Sequence, residues 1–284
     1  MRTSLTQDQI KQYQEDGFII IRNFLSDEER LELIDAVTTC VKEYESVKII
    51  GTENHEHVKY SENKADYYSN VFLQKLNMWK VSSTVRKYML NPKVGEMACK
   101  LEGIDGIRVW HDQTLQKKPW ANPTSFHMDN PYWSFTNRHA ISIWIALDDA
   151  TLQNGCLAFT PGSQKVTTEK NVGIGQNLGE IFDLYPELKY KTPVMAEMKA
   201  GDCSFHNGFT IHGAGANMTA GWRRAMTCGY MPDGSTFNGT RNILSKEYFE
   251  SLKVGDILDN EEQNPLIWSS KKQVNNERLL SATV

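Results

Sequence analysis

The sequence predicts a mainly β protein with flanking helices: an antiparallel double-stranded β-helix, or jelly roll, buttressed by N-terminal helices. Helical patterns dominate about residues 1–102, and from about 103 to 232 short stretches of strand-like residues alternate with turns. Helices first and many short strands afterwards is the order expected of such a β core. The chain has 284 residues and is 40% hydrophobic, enough for one large core, so residues 1–284 are read as a single domain.

Taken in order, Thr6 with Gln9 has the pattern of a capping box opening a short helix that stops at Gly17. Phe18–Ile21 reads as a short buried strand. Ser26 with Glu29 is a second capping box, and Leu31, Ile34, Val37 and Val41 follow at helical spacing on one face. Residues 47–75 are polar and aperiodic and read as a solvated loop. His55-Glu56-His57 lies within it, without a scaffold or a third ligand. Residues 82–102 are helical again, broken at Asn91-Pro92, with Pro92 at a first helical position. Residues 107–111 and 141–147 then alternate, and 155–160, 193–198, 202–205, 209–212 and 222–231 add short strands. Residues 164–191 are a long polar insertion between two strands, expected to act as a lid over substrate. The extension from about 233 to 284 has modest helical character at Ile243, Leu244, Tyr248, Phe249, Leu252 and Ile257. It is expected to pack outside the barrel or to help cover its mouth.

Residues 125–133 read Ser-Phe-His-Met-Asp-Asn-Pro-Tyr-Trp. On an extended chain His127 and Asp129 point one way and Met128 the other. One imidazole and one carboxylate aimed at one point make up part of the facial triad of iron(II) oxygenases, which needs a second, distant His. Alone, the triplet is better read as a surface turn before Pro131 with a solvated Asp. Residues 201–231 supply the rest. They predict a strand ending at His212, a Gly/Asn-rich turn, and a second strand from near Trp222 whose antiparallel return brings Arg223 towards His212. On that strand Arg223 shares a face with Ala225, Thr227 and Gly229, all small, which leaves room for a ligand. A buried Arg on such a face suits bidentate capture of a carboxylate. A metal beside it is what a 2-oxoglutarate-dependent oxygenase requires.

With His127-x-Asp129, then His212-Gly-x-Gly-x-Asn217 and an Arg eleven residues after that His, the chain resembles the phytanoyl-CoA dioxygenase family of iron(II)/2-oxoglutarate oxygenases. Leu5-Thr6 through Glu15-Asp16-Gly17-Phe18, Asp112-Gln113 with Lys117, and Asn154-Gly155-Cys156-Leu157 with Pro161-Gly162-Ser163 look like further family features, so the resemblance covers about residues 5–232. It implies Fe(II) held by His127, Asp129 and His212, with 2-oxoglutarate and O2 as cosubstrates. Arg223 would pair with the distal carboxylate of 2-oxoglutarate. It also implies that Trp144, Gln113 and Lys117 line the cosubstrate pocket. The reaction implied is decarboxylation of 2-oxoglutarate to succinate and CO2, coupled to substrate oxidation. The carboxylate at Asp129 occupies the place that iron halogenases of similar design leave to chloride, which favours hydroxylation or a related desaturation or ring-forming oxidation. Ala214 is a departure, since many members carry Ser there.

His206 rivals His212, but only His212 carries the Gly-x-Gly-x-Asn turn and the downstream Arg, which leaves His206 to satisfy a hydrogen bond behind the site. His111 and His139 have no acidic or Arg partner at metal spacing and are read as core or surface histidines. Arg224 falls on the opposite strand face from Arg223. Asn130, Tyr132, Trp133 and Phe135 are expected at the pocket mouth, suggesting an apolar or ring-bearing small-molecule substrate. No basic cluster suits the phosphates of an acyl-CoA.

A net charge of −4 argues against a general nucleic-acid or anionic-membrane surface. No apolar run is long enough to span a membrane, and the N-terminus lacks a secretory apolar core. Five scattered cysteines fit reduced thiols in a cytoplasm. The expected particle is a monomer or homodimer. Two rival readings remain: a non-oxygenase jelly-roll metalloprotein (isomerase or lyase) using the same triad, and a scaffold protein, which a broken triad would have marked.

Overall fold

The computed structural model describes residues 1–43, 67–272, 274 and 279–280. Among them two antiparallel sheets enclose a cavity. The larger has seven strands, running β1 (Phe18–Ile21), β8 (Cys203–Asn207), β5 (Ile141–Ala146), β10 (Arg223–Pro232), β3 (Gly106–Lys117) and β11 (Leu266–Ser269), with β2 (Leu73–Leu76) also paired to β3. The smaller runs β4 (Thr124–His127), β9 (His212–Ala214), β6 (Leu157–Phe159) and β7 (Val194–Ala196). This is the double-stranded β-helix expected from the sequence.

Strand β5 shows how sequence sets the layers. All six of its residues are buried, because both faces of the large sheet are covered. Ile141, Ile143 and Ile145 pack outward with Leu33, Val37, Val85 and Met97 from the helices. Trp144 and Ala146 pack inward with Leu157 and Phe159 of the small sheet. The helical side comprises α1 (Gln7–Asp16), α2 (Asp27–Glu43), α3 (Ser83–Met89) and α4 (Pro92–Glu102). Both capping boxes form: the Thr6 and Ser26 hydroxyls each accept from the backbone N–H three residues on, at 3.2 Å. Ser82 and Asn91 cap the next two helices. The buried stripe of α2 is Leu33, Val37 and Cys40, with Ile34 and Val41 beside it. Leu31, expected on that face, is 56% exposed.

Several expectations need correction. The predicted loop 47–75 contains β2 at its end, while its residues 44–66, including His55-Glu56-His57, lie outside the described residues. The large sheet also recruits β1, β2 and β11 from outside the 103–232 stretch. Residues 209–211 are not a strand. Two of their N–H groups go to side chains, Phe209 to Asn207 Oδ1 and Ile211 to Ser163 Oγ, and Thr210 N–H closes a turn on the Asn207 carbonyl, so the strand does not begin until His212. His212 therefore begins β9, in the small sheet, while Arg223 begins β10, in the large one. The predicted hairpin does not exist, and the two residues meet across the barrel instead. Apolar alternation marks a strand but does not say which sheet receives it.

The insertion 164–191 carries a short helix, α5 (Ile181–Leu184), and a core of its own, in which Ile181, Tyr185 and Leu188 pack on Met128, Phe209 and Ile211. The C-terminal extension forms α6 (Lys246–Ser251) and β11. It is pinned to β3 by Arg108, which bonds Asp233 and Glu261, both at 2.7 Å.

Candidate active site

Strand β4 stops at His127, and the chain turns there. Asp129 has φ −80° and ψ −52° and precedes a single helical turn, Asn130–Tyr132. The predicted alternation along one strand is thus replaced by a turn, which still sends Met128 outward into the insertion's core. Pairing of β4 with β9 sets His127 directly opposite His212. Asp129 Oδ1 lies 3.8 Å from His127 Nε2 and 3.6 Å from His212 Nε2. One ligand atom from each residue falls within 4.8 Å of the others, so the three can hold a metal ion.

Each group is aimed by a neighbour. His127 Nδ1 lies 2.8 Å from the Ser125 carbonyl and His212 Nδ1 3.0 Å from that of Thr210, an arrangement that keeps the proton on Nδ1 and the Nε2 lone pair towards the centre. Asp129 Oδ2 accepts from Ser142 Oγ at 2.8 Å and contacts His206 Nε2 at 3.1 Å, which leaves Oδ1 free. His206 is therefore the supporting residue expected from the sequence. Burial lowers both His127 and His212, the latter to about 3, despite the Asp129 charge. Burial would raise Asp129, but the His212, His206 and His127 rings outweigh it and hold the carboxyl well below its ordinary range. Two neutral imidazoles and a carboxylate are the deprotonated donors a metal needs.

Arg223, 2% exposed, projects from β10 into the same cavity. Its guanidinium lies over the Trp144 ring at 5.2 Å, its Nη1 makes a 3.4 Å bond to the Leu115 carbonyl, and its Nε has no partner. Burial lowers it to about 10, so it stays cationic at neutral pH. Among the described residues no carboxylate pairs with it; neighbouring Asp148 is held by Arg224 on the other face. A buried cation without a counter-ion is costly, and it fits an anionic ligand.

The cavity has a volume of about 470 Å³. Trp144, Gln113 and Ala214 line it together with the metal-ligand candidates and Arg223. Lys117 does not, and the expectation is corrected. It sits opposite Arg223 in the β3–β10 register, and its ammonium turns away to the carbonyls of Val71 and Asn122. Burial, followed by the Arg223 charge, lowers it to about 6. Tyr132 and Trp133 line the cavity as expected, but Asn130 and Phe135 do not. The Asn130 amide donates to the Phe135 carbonyl, and Phe135 packs against Trp110. The Asn217 amide donates to Lys118 and Gly221 carbonyls, closing the loop between β9 and β10. Gly155, at φ +89°, could not carry a side chain, since a Cβ would lie 2.4 Å from the Gly215 carbonyl of that loop.

Sequence reasoning missed Tyr68, Phe72 and His111 of the cavity wall, whereas residues 240–243 come from the extension expected to pack outside the barrel or help cover its mouth. Only His111 carried a signal: it stands two residues before Gln113 on β3 and so shares its face. The others arrive from distant segments.

Residues 13–225 match the family model described as Phytanoyl-CoA dioxygenase (PhyH). The chain is 27% identical over 264 residues to peroxisomal phytanoyl-CoA dioxygenase of Homo sapiens, spanning 88% of this chain and 75% of that one. Among solved structures, the α-ketoglutarate-dependent carbocyclase SnoK from nogalamycin biosynthesis superposes with a TM-score of 0.74 at 25% identity, covering 93% of this chain and 96% of that one. The epimerase SnoN, solved with Fe3+, α-ketoglutarate and nogalamycin RO, shares the fold with a TM-score of 0.70 at 23% identity, covering 92% and 98%. With a His/Asp/His donor set facing an uncompensated Arg and the family match over most of its length, this chain belongs to the phytanoyl-CoA dioxygenase family of iron- and 2-oxoglutarate-dependent enzymes.

Proposed function

We propose that this protein is an Fe(II)/2-oxoglutarate-dependent dioxygenase that hydroxylates a small, apolar or ring-bearing molecule. The observation that carries the reading is one cavity holding both the His127/Asp129/His212 cluster and the counter-ion-free Arg223. Bound iron(II) with 2-oxoglutarate and O2 supplies the oxidation, one oxygen atom entering the substrate C–H bond and the other entering succinate as CO2 is lost.

The protein's own residues bind and orient. His127 Nε2, Asp129 Oδ1 and His212 Nε2 hold the metal, and Ser142 and His206 fix which carboxylate oxygen is presented. Arg223 takes the distal carboxylate of the cosubstrate, with Trp144 stacked beneath the guanidinium. Gln113, its Oε1 engaged by the Gln74 amide, has its own amide N–H groups left to donate into the cavity. Ile174 of the insertion reaches the cavity, and residues 164–191 act as a lid that keeps water out. The five buried, unbridged cysteines support placement in the cytoplasm, and no described helix is long and apolar enough to cross a membrane.

Likeness to a carbocyclase favours a second outcome, ring closure with net loss of two hydrogens in place of oxygen insertion. Product mass separates the two. The reading as a whole is tested by adding iron(II) and then 2-oxoglutarate to the apo-protein without oxygen. A visible charge-transfer band is expected, absent in His212→Ala and weakened in Arg223→Ala. Metal binding with no band would leave the isomerase or lyase reading in its place.

A further inference from the structure

We propose that His111 is a substrate-binding residue, and that the substrate is a ring system presenting a hydroxyl group to its Nε2. The inference rests on reading the cavity as the substrate site and names the chemistry that site selects.

His111 is 6% exposed, yet it lines the cavity. Its Nδ1 is shut in without a well-formed hydrogen bond, although the Asp112 backbone lies near enough to raise the ring's pKa, and among the described residues Nε2 makes no hydrogen bond. A buried imidazole whose Nε2 is left open is costly, and a ligand group that bonds Nε2 removes that part of the cost. The ring is held for that purpose. Trp133 meets it edge to face at 5.9 Å and 83°. Trp133 is in turn seated on β10 at Gly229, directly opposite His111 in register, where a Cβ would come within 2.9 Å of the indole. Burial outweighs the Asp129 charge and lowers His111 to about 4, so the ring meets its ligand neutral.

A neutral imidazole has one donor and one acceptor nitrogen, and Nε2 is one or the other according to tautomer. A hydroxyl donates and accepts, so it satisfies either. The rest of the ligand is set by the walls: Tyr68, Phe72, Tyr132 and Trp133 present aromatic surface. Aromatic faces of this kind suit a flat ring system. Thr227, also on the wall, offers a second hydroxyl on the paired strand.

The test compares 2-naphthol with 2-methylnaphthalene, which has the same shape without the hydroxyl, on protein loaded anaerobically with iron(II) and 2-oxoglutarate. Binding is followed by tryptophan fluorescence and by perturbation of the charge-transfer band. Wild type should prefer 2-naphthol by about five- to tenfold, the size of one hydrogen bond to a buried group. His111→Phe should erase the preference and His111→Asn should keep part of it, both with the band and the melting temperature intact. Equal affinity in wild type, a preference that survives His111→Phe, or no binding of either probe overturns the proposal. Absence of the band from wild type itself would refute the cofactor reading beneath it instead.

Discussion

Replacing Arg223 with Met should stabilise the ligand-free protein and weaken its response to 2-oxoglutarate. Burial pulls the guanidinium from an ordinary 12.5 to about 10. At about 1.4 kcal/mol per tenfold, holding the charge in the fold costs about 3 kcal/mol. The folded value is the lower one, so this cost is fully present at every pH below about 10, neutral pH included. Against it stand the contact with Trp144, worth up to about 2 kcal/mol when desolvated, and one long bond to the Leu115 carbonyl. The balance leaves about 1 kcal/mol of stabilisation, or a melting temperature higher by roughly 2–4 °C. Loss of a buried charge-assisted contact should weaken 2-oxoglutarate by about 2–5 kcal/mol, which is about thirtyfold or more. Thermal melting under nitrogen, with manganese(II) and with or without 2-oxoglutarate, reads both effects. Wild type should melt higher on adding 2-oxoglutarate, and the variant should need about thirtyfold more or beyond for the same rise. A variant that melts well below wild type without ligand, yet gains from 2-oxoglutarate as wild type does, would refute the reasoning and make Arg223 a structural residue.

Other consequences are open to measurement. His206→Phe removes a contact to Asp129 Oδ2, so manganese(II) affinity, read from the free-ion paramagnetic resonance signal, should drop about 10–100-fold. Unchanged affinity would show that Ser142 alone positions the carboxylate. His139 is raised, chiefly by its hydrogen bond to Glu102. Its stabilisation is therefore full below the unfolded value and fades as pH climbs through the folded one. His139→Gln should lower the melting temperature near about pH 5.5 and not near about pH 9; equal losses at both would contradict the ion pair. If residues 164–191 act as a lid, iron(II), 2-oxoglutarate and a bound ring compound should protect them from limited proteolysis, and unaltered cutting would count against closure.

The chemical centre was legible because its signals are local or carry fixed spacings. His127 and Asp129 are two residues apart, and His212 and Arg223 sit on either side of a Gly/Asn-rich loop. Even so, the route from spacing to geometry was wrong twice: Asp129 converges through a turn, and Arg223 reaches the site from the opposite sheet. Strand alternation has the same period whichever sheet the strand joins, so partner choice is not written in it. Lys117 shows a different limit. Its register position faces Arg223, and only the presence of that second cation and two nearby carbonyls explains why its ammonium turns aside. Tyr68 and Phe72 were invisible as pocket residues because they enter from a segment far from His127 and His212 in sequence. The short strands Leu73–Leu76 and Leu266–Ser269 likewise become strands only by pairing with β3.

The rim residues 240–243 belong to the extension beyond residue 225, where the family match ends, and that extension is clamped to β3 through Arg108. One stretch of the cavity wall is thus written apart from the metal-ligand candidates, while Tyr132, Trp133 and Ile174 of the same wall lie within the matched residues. Substitutions in the tail can reshape that part of the wall while His127, Asp129, His212 and Arg223 stay untouched. Such a division lets an old oxidation chemistry be re-addressed to new compounds without being rebuilt.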